Sequence, residues 1–179
     1  TFGPWSVFSR QTRGGQATSK KWAILFTCLT TRAIHIEMVD ELSSSSFINA
    51  VRRFYAIRGK VDIFRSDRGT NFVGATDSLK IDAVNVEDNN IKDFLQKNGT
   101  IWIFNQPKAS DMSGALERMN GVVRRRLDNL LSQHMDCLNH ESLSTFMAEV
   151  TSIVNARPLV PISTDPEKTN VLSPSMLLT

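Results

Sequence analysis

The chain alternates between stretches in which apolar residues have strand-like spacing and stretches in which they have helix-like spacing. Residues 22–29 form a nearly unbroken apolar run, typical of a buried strand. Residues 32–39 alternate between apolar and polar, as a strand at the edge of a sheet does. The polar residues 11–20, which contain a Gly-Gly pair, predict a hairpin loop. Shorter apolar runs predict three more strands, at residues 4–9, 61–65 and 101–104.

Helical spacing accounts for most of the remaining chain. The serine run 43–46 supplies N-cap residues for a helix that ends at Gly59. The predicted helices cover residues 43–59, 77–98 (one or two short ones), 113–133 and 141–155. Strands first and strand–helix alternation afterwards predict an α/β fold, with a mixed sheet covered by helices on both faces. We expect a single domain spanning residues 1–179.

Charge is distributed unevenly along the sequence, although the net charge is only +3. Residues 1–36 carry five basic side chains and no acid, and Arg124-Arg125-Arg126 forms a second basic block. Residues 77–93, between them, are acidic. Charge arranged in patches suits a polyanionic partner such as nucleic acid better than uniform charge does. Ordinary solvated faces are the alternative.

Two classes of protein are disfavoured by the sequence. No apolar run approaches the ~20 residues of a membrane span, so no membrane partner is expected. Cys28 and Cys137 are far apart and lack His or Cys neighbours. This pattern disfavours a zinc site or a disulfide framework and predicts two reduced, space-filling cysteines in an intracellular protein.

The chain has no initiating Met and starts inside a predicted strand, so we expect an excerpt of a longer polypeptide.

Two acids carry the most specific chemical signal. Asp67 follows the strand 61–65 on a glycine-containing turn, and Glu117 lies in the opening turns of the long basic helix. If the fold brings them together, the two carboxylates can hold divalent metal at a phosphate, as enzymes that cut and join nucleic acid do. Taken singly, Asp67 is typical of an Asx-turn residue. Glu117 alone is typical of a solvated acid near a helix N-terminus.

The long helix places several polar side chains on related faces. Glu117 and Arg124 are seven residues apart, which is about 20° from full register, so they share a face with Asn120. Arg118 and Arg125 repeat this spacing on the adjacent face. An acid, an amide and an arginine on one face suit a site lined by DNA, whereas a solvated face with an arginine–aspartate ion pair is the alternative. An apolar stripe predicts that the helix packs on the sheet, through Leu116, Met119, Val123, Leu127, Leu130 and Leu131.

Histidine and tryptophan residues are expected to pack in the core. His35 has apolar neighbours on the alternating strand, and Trp5, Trp22 and Trp102 lie in predicted strands. Large aromatic side chains dominate the energetics of cores. Core or edge packing is therefore favoured for His35, and packing is favoured over base stacking for the tryptophans.

Seven segments match a family pattern in the right order and over essentially the whole chain: Phe2-Gly3-Pro4, residues 25–35, residues 45–50, residues 66–74, the Glu117 helix, Asn155-Ala156-Arg157-Pro158-Leu159 and Leu172-Ser173-Pro174. They resemble the catalytic core of retroviral-type integrases, and within that group the integrases of Bel/Pao-type retrotransposons.

The resemblance implies a ribonuclease-H-like fold with a five-stranded mixed sheet and three acids. Asp67 matches the second acid, after the fourth strand, and Glu117 matches the third, on the long helix. The first acid falls immediately ahead of the first residue of this sequence. Asn71 matches an asparagine that lies near the DNA in the family, and Arg124 a basic position that follows the third acid.

The activity that the resemblance implies is metal-dependent polynucleotidyl transfer in DNA integration. Asp67 and Glu117 would hold Mg²⁺ or Mn²⁺, with two ions expected. The DNA-binding candidates are Asn71, Arg118, Asn120, Arg124 and Arg125. The expected partners are retroelement DNA ends, target DNA, further copies of the chain and flanking domains of a polyprotein. The expected location is the nucleus, with a cytoplasmic particle phase.

Two alternatives remain open at the level of the sequence. The first is a domesticated or inactive integrase-derived module that binds DNA or self-associates. The second is a ribonuclease-H-like nuclease that cuts without joining.

Overall fold

The computed structural model describes residues 1–12, 15–67, 87–105, 110–132, 138–160 and 171–178, with the backbone alone for residues 9–12, 15–17, 67, 110–113 and 115. The strands are β1 (Phe2–Thr12), β2 (Gly15–Thr27), β3 (Ile34–Val39), β4 (Ile63–Asp67) and β5 (Ile101–Asn105). The helices are α1 (Ser44–Arg58), α2 (Asn89–Lys97), α3 (Ser110–Leu131) and α4 (His140–Asn155), followed by a 3-10 helix at Pro174–Leu177.

The five strands form two sheets within the described residues. β1, β2 and β3 pair in that order, and β4 pairs with β5 in parallel. The predicted α/β class and the five strands are therefore confirmed. The single five-stranded sheet is not confirmed, because it needs a ladder between the two groups and the described strands form none.

Element boundaries differ from the predicted ones, most of all at the start of β2. β2 begins at Gly15, so most of the predicted loop 11–20 is strand. Strands are defined by backbone pairing, and polar residues join them where one face is solvated. α3 begins at Ser110 rather than at residue 113, because Ser and Asp are favoured in the first turn of a helix. In the stretch 77–98 the structure describes α2, and residues 68–86 lie outside the described residues.

The chain forms two compact units. The first comprises residues 1–5, 20–24 and 37–117, and the second comprises residues 6–19, 25–36 and 118–179. β1, β2, β3 and α3 contribute residues to both units. The single domain expected for residues 1–179 stays a prediction.

In the first unit, α1 packs on β4 and β5 through aromatic rings. Phe47 meets Trp102 edge to face with ring centroids 5.8 Å apart, and Phe54 lies 5.9 Å from Phe64. Phe64 and Trp102 are register partners, so their rings lie on the same face of the pair of strands. Burying a large apolar side chain contributes about 1.5–3 kcal/mol. This cluster therefore fixes β4, the strand that ends at Asp67.

One buried acid of the first unit has a structural role. Glu37 on β3 is 7% exposed, and its Oε2 accepts a hydrogen bond from Nε of Arg53 on α1 at 2.5 Å. Arg53 Nη2 also donates to the Met38 carbonyl oxygen at 2.9 Å. Breaking such a pair would leave a buried charge without compensation. Glu37 therefore holds α1 against β3.

The second unit buries the apolar faces of α3 and α4. The predicted stripe of α3 is confirmed at its centre, where Val123 and Leu127 are at most 1% exposed. The N–H of Phe8 on β1 donates to the Leu138 carbonyl oxygen at 2.8 Å, just before α4 begins. Further buried side chains of this unit are Val7, Met119, Leu131, Leu143, Met147, Val150 and Val154. In the part of the chain that the structure describes, no helix has the length and apolarity needed to cross a membrane.

Gly3 occupies a position in β1 that requires glycine. Its φ is +117°, and a Cβ there would lie 3.0 Å from the Lys21 carbonyl oxygen and 3.2 Å from Cα of Trp22. We expect Gly3→Ala to lower the free energy of unfolding by about 1–3 kcal/mol. Alanine rarely adopts this φ, and its Cβ would lie too close to the neighbouring backbone atoms. Gly114→Ala in α3 is the matched control, because nothing lies within 4 Å of its added Cβ. Urea unfolding should show stabilisation of about 0.5–1 kcal/mol for that control, and equal midpoints for the two variants would contradict the prediction.

Candidate active site

The carboxyl ends of β4 and β5 lie side by side. The two strands are parallel, and Asp67 pairs in register with Asn105. One residue earlier, the indole Nε1 of Trp102 donates to the Ser66 hydroxyl at 3.0 Å, which ties the two strands together. In α/β folds, ligands bind beyond the carboxyl ends of the strands. Asp67 is therefore at the edge where a ligand site is expected, although its side chain lies outside the described residues.

Glu117 lies on α3, seven residues after the helix begins at Ser110. Its carboxylate is exposed, and among the described residues it forms no ion pair. Asp67 and Glu117 both belong to the first compact unit. Only residues 106–109 separate β5 from α3, so the chain leaves the edge that carries Asp67 and soon enters the helix that carries Glu117. That the two carboxylates lie close enough to hold the same metal site stays a prediction.

The polar side chains of α3 divide into two groups around the helix. At about 100° per residue, Asn120 and Arg124 lie on the same flank of Glu117, about 20–60° from it. Arg118 and Arg125 lie on the opposite flank, about 80–100° from Glu117. All five side chains are exposed, and Arg125 Nε donates to the Gly121 carbonyl oxygen at 3.2 Å. By this spacing, Asn120 and Arg124 lie close to the angular position of Glu117 on the helix, and Arg118 and Arg125 lie further round.

The metal-binding prediction rests on Asp67 and Glu117. Among the side chains that the structure describes, no group of three His, Cys, Asp or Glu residues could hold a metal ion. Carboxylate oxygens without cationic partners are the ligands that Mg²⁺ prefers, and the exposed carboxylate of Glu117 fits that requirement. Asn71, the predicted DNA-binding asparagine, lies outside the described residues.

A polar connection between α4 and β3 was missed by the sequence analysis. The side chain of Asn155 accepts a hydrogen bond from the Ile34 N–H at 2.8 Å and donates to the Ile34 carbonyl oxygen at 2.9 Å. Asn155 is 4% exposed and Ile34 is 1% exposed. The amide thus pairs with the first residue of β3 as a neighbouring strand would. The available signal was an asparagine directly after Val154 at the end of the apolar face of α4.

Cys28 does not have the predicted role of a space-filling residue. β2 ends at Thr27, so Cys28 falls in the exposed turn before β3, where its thiol is free. Its sulfur accepts a hydrogen bond from the Thr31 N–H at 3.4 Å. Burial acts to raise the pKa of the Cys28 thiol, but hydrogen bonds from Thr31 and Thr30 and the charge of Arg32 lower it overall. Cys137 lies outside the described residues.

The predicted packing roles of aromatic residues are confirmed for two tryptophans. Trp102 packs between Phe47 and Phe64, and Trp5 meets Phe2 edge to face with ring centroids 5.4 Å apart. His35 is half-buried, and its ring lies 6.4 Å from that of Phe26. These side chains therefore do not belong to the candidate active site.

No protein-family model and no curated protein sequence matches the chain. Solved structures match it over nearly its full length. The catalytic core domain of HTLV-2 integrase in complex with magnesium, in a trimeric form, has a TM-score of 0.57 and 12% identity, covering 97% of this chain and 93% of that one. The catalytic core domain of BIV integrase has a TM-score of 0.59 and 12% identity, covering 97% and 90%.

A larger assembly contains a third similar chain. The structure of the simian T-cell lymphotropic virus intasome in complex with PP2A regulatory subunit B56 gamma has a chain with a TM-score of 0.62 and 11% identity. The match covers 95% of this chain, which spans 56% of the length of that one. Identities this low establish the fold alone. The chain therefore has the fold of integrase catalytic cores.

Proposed function

We propose that the chain is the catalytic core of an integrase, which processes retroelement DNA ends and joins them to target DNA. The observation that carries this proposal is the place of the two acids in the fold. Asp67 ends β4 at the carboxyl edge of the parallel pair, and Glu117 is exposed on α3. The similarity to HTLV-2 and BIV integrase cores supports it. The seven sequence motifs support closeness to Bel/Pao-type elements and a first acid immediately ahead of Thr1.

Asp67 and Glu117 would hold Mg²⁺ or Mn²⁺, and two ions are proposed. Such ions, when bound, activate the attacking oxygen and stabilise the charge that develops on the phosphate. The HTLV-2 core was solved in complex with magnesium. In this chain, Arg124 and Asn120 on the flank of Glu117 would orient the phosphodiester of the DNA. Asn71 would lie close to the same DNA strand. Because these side chains would contact the phosphate backbone of the DNA, they would position the DNA without specifying its sequence.

The wider setting of the activity is also proposed. The similar HTLV-2 cores were solved in dimeric and trimeric forms and the simian virus protein in an intasome, which supports self-association of this chain around DNA. We propose one continuous five-stranded sheet, flanking domains in the parent polyprotein and action in the nucleus. Arg118 and Arg125 would contact DNA beside the main site.

A non-catalytic module that binds DNA or self-associates and a nuclease that cuts without joining are the two alternatives to this proposal. The experiment that separates the hypotheses is product analysis with a labelled DNA end and a target duplex, using the chain extended upstream of Thr1. Joined products that require Mg²⁺ or Mn²⁺ support the integrase. Cleavage without joining supports a nuclease, and binding without either product supports the non-catalytic module.

A further inference from the structure

The turn between β2 and β3 brings two arginines together. Arg157, just after α4, is half-buried, and its Nη2 donates to the carbonyl oxygen of Arg32 at 2.7 Å. The same guanidinium donates to the Val154 carbonyl oxygen and contacts Met119 Sδ at 3.3 Å. Arg32 is exposed at the tip of the turn. Both residues belong to the second compact unit, so their separation does not depend on how the units are arranged.

The two positive charges at this turn lack acidic partners among the described residues. Burial first, and then the charge of Arg32, lower the pKa of Arg157, as expected for a guanidinium close to a like charge. The described ion pairs are Lys21 with Asp40 and Glu37 with Arg53, so neither guanidinium has a carboxylate partner. The carbonyl groups at the end of α4 compensate the charge of Arg157 in part. They leave the charge of Arg32 facing solvent.

The backbone holds Arg32 in a conformation that arginine rarely adopts. Its φ is +57°, in the left-handed region that favours glycine and asparagine. Its N–H donates to the Cys28 carbonyl oxygen at 2.9 Å, and the Cys28 N–H donates to the Ala33 carbonyl oxygen at 2.8 Å. Glycine at this position would relieve the backbone strain, and asparagine would adopt the same conformation without a charge. Two neighbouring arginines without a carboxylate partner among the described residues are an arrangement that favours binding of an anion.

We propose that Arg32 and Arg157 form a phosphate-binding site for the backbone of DNA, in addition to the side chains of α3. The identity of the ligand as DNA rests on the proposed function. A guanidinium group has five N–H donors in a fork that matches phosphate oxygens. The described hydrogen bonds of Arg157 use Nη1 and Nη2 and not Nε, and the side chain of Arg32 is exposed. The exposed hydroxyl of Thr30 in the turn is a further donor.

The test is DNA binding as a function of salt, measured by fluorescence anisotropy with a labelled duplex. Each phosphate contact contributes about 0.9 to the slope of log K against log salt concentration. Arg32→Gln should therefore reduce the magnitude of that slope by about one, while Arg32→Lys, which keeps the charge, should retain it. Arg58→Gln is the control, because it removes an exposed arginine from α1 in the other unit. Thermal unfolding should show that all three variants fold.

Two results would overturn the binding of DNA at this site. One is an equal loss of slope in Arg58→Gln, which would indicate bulk charge alone. The other is a wild-type slope in Arg32→Gln, and if this variant also loses binding of inorganic phosphate at constant ionic strength, the site takes free phosphate instead of DNA. The assay measures binding and not joining. A reduced slope in a protein that gives no joined product would therefore support this site and count against the catalytic proposal alone.

Discussion

Asp67→Asn and Glu117→Gln should each reduce the joining of a DNA end to target DNA by at least about 100-fold, since removing one group that stabilises transition-state charge has an effect of that size. Each substitution keeps the shape of the side chain and removes the negative charge that a divalent cation requires. Glu117 is exposed and forms no ion pair among the described residues, so its loss should leave folding intact. The measurement is the rate of product formation at several Mg²⁺ concentrations, with thermal unfolding recorded for each variant.

Asp128→Asn provides the matched control for Glu117→Gln. Asp128 is exposed on α3, eleven residues after Glu117, and at about 100° per residue it lies within about 20° of the same face. The control therefore removes the same charge from the same face of the helix, about three turns away. We expect its joining rate to stay within a few-fold of wild type. Equal activity in Asp67→Asn and wild type would dismiss the proposed mechanism, because Asp67 is the acid that it cannot do without.

The places of Asp67 and Glu117 in the secondary structure were predictable because the local sequence dictates the elements that contain them. The apolar residues within 61–65 and 101–104 predict strands, and parallel pairing then puts Asp67 and Asn105 at one edge. The spacing of Met119, Val123 and Leu127 fixes which side of α3 is buried, and hence that Glu117 is exposed. Periodicity is sufficient for such residues because burying an apolar face contributes most of the stability of a helix packed on a sheet.

The connection between α4 and the turn before β3 was not predictable in the same way. Asn155 and Ile34 are 121 residues apart in the chain, and their pairing is buried. A polar residue at a helix end has no periodicity that reveals its partner, and the pattern indicated only that α4 stops near Pro158. The prediction of where β2 begins was wrong for a related reason. The polar first residues of this strand are held by backbone pairing, which side-chain patterns do not show.

Asn155→Ala should lower the free energy of unfolding by about 2–4 kcal/mol, because each buried backbone group left unpaired costs roughly 1–3 kcal/mol. The Asn155 amide satisfies both the N–H and the carbonyl oxygen of Ile34, at 2.8 and 2.9 Å. Both residues are almost fully buried, so water cannot replace the amide easily. Because β3 is the last strand in the order β1-β2-β3, its outer side has no further strand among the described residues to take over these bonds.

Asn155→Ala should lower the stability of the whole protein and also weaken the protection of the Ile34 amide itself. Urea unfolding gives the total loss, and native-state hydrogen exchange should show that the Ile34 amide exchanges much faster in Asn155→Ala than in wild type. Asn129→Ala is the control, since it removes an exposed amide from α3 and should change stability by less than about 0.5 kcal/mol. Equal unfolding midpoints for the two variants, or unchanged protection of the Ile34 amide, would contradict the role assigned to Asn155. The same comparison tests the turn that carries Arg32, because Asn155 and Arg157 anchor Ile34 and Arg32, on either side of Ala33.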